Sequence, residues 1–191
     1  MTIGIQSGSE RAFDFMAKYG ISGVIGGGSA EGGAVERHML GFQVAYARRG
    51  IHLELGERLA LGYHFHIASS REQAIREAAP HYEENMKMFG ELRGAGLDRR
   101  ADRGDARPAA RRHRELPTIE DAVKAGGFLA GRPEDIVEQL KAVERRYPGL
   151  NRVICATPLG TPLNVQLAGL DHFAKEVIPA FRDTRTAAAA Q

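Results

Sequence analysis

Short apolar runs alternate along the chain with longer stretches in which apolar residues recur every three or four positions. The apolar runs predict four strands, at Thr2–Gln6, Ser22–Gly26, Leu59–Ala68 and Arg152–Ala156. The stretches between and after them predict helices that begin near Glu10, Gly33, Arg71, Ile119, Pro133 and Pro162. Strands that alternate with helices favour a parallel sheet, so the pattern predicts an α/β fold.

The spacing of apolar residues also predicts which helix faces are buried. In the second helix the apolar stripe is Val35, Met39, Phe42 and Tyr46. In the last helix the predicted inner face is Leu163, Leu167, Leu170, Ala174, Val177 and Phe181. The strand Arg152–Ala156 has the composition of a buried strand, and a shorter apolar segment, Phe128–Ala130, precedes the helix that begins at Pro133.

Length and composition indicate one globular domain. The chain has 191 residues, of which 43% are hydrophobic, enough for a core but fewer than the ~250 of a complete (β/α)8 barrel. We expect one domain over residues 1–183 and a disordered tail over 184–191. The lack of a run of ~20 apolar residues and of a leader-like start predicts a cytoplasmic protein without membrane association. The single cysteine, Cys155, lies in an apolar strand and is expected to be a buried, inert thiol.

Positive charge is concentrated in one segment. Residues Arg93 to Arg114 contain eight Arg and three Asp, a net +5, whereas the whole chain carries +2. We interpret this segment as a basic, flexible insertion. It lacks the aromatic residues that nucleic-acid arms interleave with their cations, so no nucleic-acid partner is expected. A stretch translated out of frame is the alternative.

The first strand-end loop has the sequence expected of a phosphate site. Ser7, Gly8 and Ser9 follow a strand and precede a helix, where free N–H groups and the helix dipole favour an anion. Gly8 would let a phosphate approach the backbone. An ordinary helix N-cap is the alternative interpretation of the same three residues.

The loop after the second strand is rich in glycine. Gly27 and Gly28 lie in the run from Gly26 to Gly33, which lacks the context of a dinucleotide-binding fingerprint. This loop is either a mobile active-site loop or part of a ligand pocket.

Two histidines share one face of the third strand. His64 and His66 are two residues apart, so both imidazoles are predicted to point into a barrel with Gly62, while Leu61 and Phe65 on the other face meet helices. A metal site would need further ligands, and the sequence supplies no companion motif. We therefore expect pocket-lining or hydrogen-bonded histidines and no metal.

Several short motifs together resemble the luciferase-like flavin-dependent monooxygenase family. They are the Ser-Gly-Ser-Glu loop at Ser7, the Lys-Tyr-Gly-Ile turn at Lys18, the Gly-Arg-Pro-Glu-Asp helix start at Gly131, the Gly-Leu-Asn-Arg-Val-Ile strand at Gly149 and the Glu-Val-Ile-Pro-Ala-Phe ending at Glu176. The resemblance covers nearly the whole chain except Arg93–Arg114. It implies a (β/α)8 TIM-barrel-type fold, of which this chain would hold about the C-terminal four βα units.

The resemblance also implies a cofactor and a reaction. Family members use reduced flavin and O₂ to oxygenate a small organic substrate, in some cases with a flavin reductase. The cofactor would be FMN, with a deazaflavin as the alternative, and its phosphate would lie at Ser7, Gly8 and Ser9. Many members have a second hydroxyl three residues after Ser9, where this chain has Ala12. Gly27, Gly28, His64 and His66 would line the substrate pocket.

No residue of this chain corresponds to the family's N-terminal strands, which carry the flavin-ring support. Catalytic residues are therefore not assigned, and the resemblance names neither the substrate nor the form of the flavin. A half barrel exposes two strand edges, so the chain would form a homo-oligomer, pair with a partner subunit, or be a truncated, inactive product. A non-catalytic flavin-binding or subunit-interaction protein is the second hypothesis, and a hydrolase with a metal at His64 and His66 is the third.

Overall fold

The computed structural model describes residues 1–5, 8–26, 28–101 and 116–182. It contains five parallel strands: β1 Thr2–Gly4, β2 Ser22–Gly26, β3 Leu59–Ile67, β4 Phe128–Gly131 and β5 Val153–Ala156. The helices are α1 Glu10–Tyr19, α2 Ala34–Ala47, α3 Arg71–Ala101, α4 Ile119–Lys124, α5 Pro133–Arg146 and α6 Leu163–His172. A π-helical turn, Phe173–Val177, and a 3-10 turn, Ile178–Phe181, continue α6. The predicted α/β fold with a parallel sheet is confirmed.

The helix boundaries follow the capping chemistry of the sequence. Gly20 ends α1 with φ 64°, a left-handed conformation that glycine adopts without strain. Thr118 begins α4 with a capping box in which it exchanges hydrogen bonds with Asp121. Pro133 stands in the first turn of α5, where its missing N–H costs no helical hydrogen bond.

Strand β3 pairs with three other strands. Leu61 N–H donates to Arg152 O at 3.2 Å, next to β5. His64 N–H donates to Gly127 O next to β4, and Arg58 O accepts from Gly23 N–H next to β2. Because backbone groups of consecutive residues point to opposite edges of a strand, β5 lies on one edge while β2 and β4 share the other. The continuous order is therefore β1-β2-β3-β5, with β4 beside the last residues of β3.

Helices cover one face of this sheet. The register places Ile25, Leu61 and Tyr63 on that face, and all three are buried. They pack with Phe13 and Met16 of α1 and with side chains of the other helices, which are Met39, Phe42 and Tyr46 of α2 and Ile136, Leu140 and Val143 of α5. The predicted stripe of α2 is thus confirmed.

The opposite face is open along most of its width. In the described part of the chain, Gly4, Gly26, Ile154 and Ala156 lie on this face and are exposed. Only the end of β3 is covered there, by a second cluster of apolar side chains from three elements, which are Ala74, Ala78 and Tyr82 of α3, Ile119 of α4 and Phe128 of β4. One helix layer therefore lies on a sheet whose second face has little cover.

Two predictions about the end of the chain are wrong. Strand β5 is largely exposed, with Val153 and Ile154 at 39% and 44% of their full accessibility, because it forms the edge of the sheet on the described chain; Cys155 alone of its four residues packs against the core. In α6, Leu163, Leu167 and Leu170 are also exposed. Ala174 of the predicted face is exposed as well, whereas Val177 and Phe181 join the core as predicted. The helix turns Gly169 toward Phe65, and Phe173 also packs on the core.

The basic segment begins inside a helix. Helix α3 continues to Ala101, so the change in composition at Arg93 does not end it. Residues 102–115, which hold the rest of the predicted insertion, and the predicted tail 184–191 lie outside the described residues. Both assignments remain predictions from the sequence.

Replacing Phe65 by Ala tests how the end of the chain docks on β3. Phe65 is fully buried, and its ring centroid lies 4.9 Å from that of Phe173. We expect Phe65→Ala to lower the free energy of unfolding by about 3–5 kcal/mol, because it removes a large core side chain. Val44→Ala, on the half-exposed surface of α2, should change it by less than about 0.5 kcal/mol. Urea unfolding of both variants measures the difference, and equal effects would contradict this packing.

Candidate functional site

The carboxyl ends of the parallel strands meet at one edge of the sheet, where parallel α/β proteins bind ligands. Five connections begin there. They are the loop before α1, the loop from Gly28 to Gly33, the turn at Ser69 and Ser70, Arg132 between β4 and α5, and the segment from Thr157 to Pro162. The residues that the sequence nominates lie in the first two connections and at the end of β3.

The loop before α1 presents the start of a helix to this edge. Ser9 is the N-cap residue, with extended backbone (φ −72°, ψ 136°). The first internal hydrogen bond of α1 runs from Ala12 N–H to Ser9 O at 3.0 Å, so the amides of Glu10 and Arg11 precede it. These amides and the helix dipole favour an anion. Ser7 lies outside the described residues, while Gly8 and Ser9 occupy the expected position.

The carboxylate of Glu10 in this first turn is itself paired. Arg48, at the end of α2, forms an ion pair with Glu10 and lies 3.6 Å from Asp14. Hydrogen bonding to Glu10, followed by its charge, raises the pKa of Arg48. Arg48 therefore offsets part of the repulsion that Glu10 would exert on an anion at the start of α1.

His38 is a site residue that the sequence did not nominate. A Cβ atom built on Gly8 would lie 2.4 Å from His38 Cδ2 and 2.5 Å from its Nε2, so the imidazole of α2 stands directly against the loop. The ring meets Phe13 edge-on, and its Nδ1 atom is buried with no hydrogen-bond partner among the described residues. Glycine is needed at position 8 because the His38 side chain lies so close to its backbone. This contact follows from the packing of α1 on α2 and could not be read from the sequence.

The loop after β2 is held by hydrogen bonds. Ser29 Oγ donates to Gly126 O at 3.2 Å, and Ser29 O accepts from Arg146 Nη1 at 2.6 Å. Gly28 has φ 119°, and a Cβ built on it would lie 2.2 Å from Ala125 O. The described part of this loop thus docks on the end of α4 and on α5, which favours a structural role over a mobile one. Gly27 lies outside the described residues.

The two histidines of β3 contact α3 rather than an open interior. His64 meets the rings of Tyr82 and Phe128, with centroids 5.9 Å and 6.4 Å away. His66 is 7% exposed, and its Nε2 atom lies 2.9 Å from Glu77 Oε2. They share one face of β3, as predicted, but the first turns of α3 cover that face. Two strand spacings, roughly 10 Å, separate them from the Gly8 loop across the sheet.

Burial sets the protonation state of His64, and hydrogen bonding sets that of Glu77. Burial lowers the pKa of His64 below its ordinary value of 6.5, so the imidazole is neutral near pH 7. The hydrogen bond from His66, and then one from Gln73, lower the pKa of Glu77. Glu77 is therefore an ionised carboxylate that orients His66.

A small cavity lies beside His66, past the end of β5. Its volume is about 240 Å³, and it is lined by His66, Glu77, Thr157, Asn164, Ala168 and His172. His172 pairs with Glu176 at 2.6 Å on the surface of the last helix. The cavity lies at the carboxyl ends of β3 and β5, and apolar side chains such as Phe65 and Val165 complete its lining.

Metal and thiol chemistry find little support in this geometry. In the residues described, no three His, Cys, Asp or Glu side chains converge as a metal ion would require. Burial raises the pKa of Cys155 to about 11, so its thiol is protonated at neutral pH and a poor nucleophile.

The structure also contains, over its described residues, no helix long and apolar enough to cross a membrane.

The neutral state of His64 predicts a pH effect on stability. The unfolded chain binds a proton at His64 near pH 6.5, whereas the folded chain resists it, so stability is complete above that pH and falls below it. We expect His64→Gln to reduce the loss of unfolding free energy between pH 7.5 and 5.5, as measured by urea denaturation. His52→Gln, at an exposed position, is the control. An unchanged pH dependence in His64→Gln would contradict a buried, neutral His64.

Known proteins share this fold. A search of curated proteins found no match. Among solved structures, the chain is similar to the oxygenating constituent of 3,6-diketocamphane monooxygenase from Pseudomonas putida, with 18% identity, TM-score 0.60, and coverage of 94% of this chain and 47% of that one. It is also similar to the monooxygenase RslO1 from Streptomyces bottropensis, with 13% identity, TM-score 0.58 and coverage of 94% and 47%. A third is the coenzyme F420-dependent tetrahydromethanopterin reductase from Methanopyrus kandleri, with 15% identity, TM-score 0.56 and coverage of 95% and 50%.

The chain spans about half the length of these structures. Because the identities are low, these likenesses show a shared fold alone, which for the luciferase-like enzymes is of the TIM-barrel type. A family model described as luciferase-like monooxygenase matches residues 3–149, more than three quarters of the sequence. The match includes the Gly8 loop, strands β2 to β4, α5 and all of β1 but Thr2. The chain therefore belongs to the luciferase-like monooxygenase family.

Proposed function

We propose that this chain binds a flavin phosphate at Gly8, Ser9 and the start of α1, and that it serves a flavin-dependent oxygenation of a small organic molecule. The observation that carries the proposal is the Gly8 loop, which follows a strand, precedes a helix and has His38 against it. Membership of the luciferase-like monooxygenase family supports flavin-dependent oxygenation as the reaction. The loop lies at the carboxyl ends of the strands, which is where barrel enzymes bind their ligands.

Each residue of the loop has a physical role in this proposal. The amides of Glu10 and Arg11 would donate to the phosphate, and the Ser9 hydroxyl would add a further donor. His38, whose Nε2 atom stands against Gly8, would add an imidazole N–H donor at this atom. Ala12 supplies no hydroxyl, so the phosphate would have one donor fewer than in many family members.

The flavin is proposed to be FMN. The P. putida monooxygenase was solved in complex with FMN, whereas the M. kandleri reductase depends on coenzyme F420, so a deazaflavin is the alternative. When bound and reduced, the flavin would supply the electrons that let O₂ transfer one oxygen atom to the substrate. The protein would bind the phosphate after β1 and would keep His64 neutral and the His66–Glu77 pair fixed at the end of β3. Gly28, His64 and His66, with Gly27, remain proposed pocket residues.

A second candidate function is flavin binding without turnover. The observation that favours it is the open sheet face, on which exposed Gly4, Gly26 and Ala156 leave the strand ends uncovered in the described structure. Oxygenation needs a site that excludes water. Oxidation of NAD(P)H that depends on a flavin reductase, on the chain and on an organic substrate would distinguish turnover from binding alone. The cytoplasmic location stays a prediction from the sequence.

Titration with FMN, followed by quenching of flavin fluorescence, tests the proposed phosphate loop. We expect saturable binding to the unmodified chain and weaker binding of riboflavin, which lacks the phosphate. Ser9→Ala should raise the Kd about tenfold, since a hydrogen bond to a charged group contributes about 1.5–3 kcal/mol. Gly8→Val should weaken binding further, because its side chain would displace His38.

Ser70→Ala is the matched control. Ser70 is also a serine at a helix start after a strand, and its Oγ accepts from Gln73 N–H at 3.2 Å. This variant should bind FMN like the unmodified chain. Equal binding of FMN and riboflavin, or a Kd that Ser9→Ala leaves unchanged, would show that the phosphate does not bind at this loop.

A further inference from the structure

The continuous order β1-β2-β3-β5 has an unpaired edge at each end, whereas β4 pairs with the last residues of β3 on the same side as β2 and lies at neither end. In the described chain, β1 pairs only with β2 and β5 pairs only with β3, and all these pairs are parallel. The order β1-β2-β3-β5 therefore ends on each side in a strand with free backbone donors and acceptors. Unpaired edges of this kind are templates for pairing with another strand.

The helices that follow β1 and β5 in the chain carry exposed apolar side chains. On α6, which follows β5, Leu163, Leu167 and Leu170 are exposed by 69%, 58% and 49%. On α1, which follows β1, Phe15 and Tyr19 are exposed by 53% and 57%, with their rings in mutual contact at 4.8 Å. The end strand on each side of the sheet is thus followed by a helix with an exposed apolar surface.

The open face needs cover as well. Parallel sheets are normally buried on both faces, because the crossover helices or a closed barrel shield them. Here helices cover one face, while Gly4, Gly26, Ile154 and Ala156 are exposed on the other.

We propose that two copies of this chain close into one eight-stranded barrel, in which β5 of each copy pairs with β1 of the other. Four strands in continuous order from each copy give the eight parallel strands of a (β/α)8 barrel. A second copy fits because every copy brings both kinds of edge, so a two-fold rotation satisfies all four edges at once. The structures with the same fold are about twice as long as this chain, which is the size that two copies would reach.

The closed ring would complete the strand-end site. The loop after β5 of one copy would lie beside the Gly8 loop of the other, and the open face of each sheet would become interior. The inference goes beyond flavin binding and does not depend on it, because the assembly can be measured without any flavin.

Molar mass from light scattering after size exclusion, with native mass spectrometry, tests the assembly. We expect twice the 20.8 kDa of one chain. Leu167→Asp on α6 and Phe15→Lys on α1 should each shift the dimer to monomer, raising its dissociation constant at least tenfold. Val44→Asp, at a half-exposed site on α2 away from both edges, should stay dimeric. Far-UV circular dichroism checks that each variant is folded.

Mixing the two variants distinguishes a ring from a pairing of like edges. In a mixed dimer, one junction holds Asp opposite Lys and the other is unmodified, so dimers should reappear. A pairing of β5 with β5 would be insensitive to Phe15→Lys and would not be restored by mixing. A monomeric unmodified chain, an assembly larger than two copies, or a dimer unaffected by either variant would overturn the proposal.

Discussion

Strand β3 is the element on which the rest of the structure depends. It pairs with β2 at its beginning, with β5 at its centre and with β4 at its end. Its side chains alternate between two environments, so Leu61, Tyr63 and Phe65 enter the main core while His64 and His66 meet α3. One nine-residue strand thereby sets the order of the sheet and the position of every helix that packs on it.

Much of this arrangement follows from local sequence signals. The helix ends at Gly20, Thr118 and Pro133 are set by capping chemistry that acts within a few residues, and the α2 stripe by periodicity. The failures have a common physical cause. Apolar residues in β5 and α6 have the composition of core residues, yet burial depends on what lies next to them in space, which no local pattern encodes.

In the candidate site, too, local sequence signals predict some features, whereas contacts between distant segments are not predicted. Position alone places Gly8 and Ser9 at the start of α1, because a strand, a glycine and a helix follow one another in the sequence. The contact of His38 with Gly8, the ion pair of Arg48 with Glu10 and the docking of Ser29 on Arg146 join segments far apart in the chain. Such contacts arise from the packing of helices that are distant in sequence, so the sequence alone does not predict the side chains that surround the site.

The docking of the loop after β2 has a consequence for how the chain reaches its structure. Arg146 Nη1 and Ser29 O are separated by 117 residues, and β5 pairs with β3 only after the whole of α3, α4, β4 and α5 has been made. Forming these contacts closes long loops, which slows folding. During synthesis, β1, β2 and β3 would emerge with an unfinished edge well before β5, so the nascent chain is exposed to aggregation until its last quarter is available.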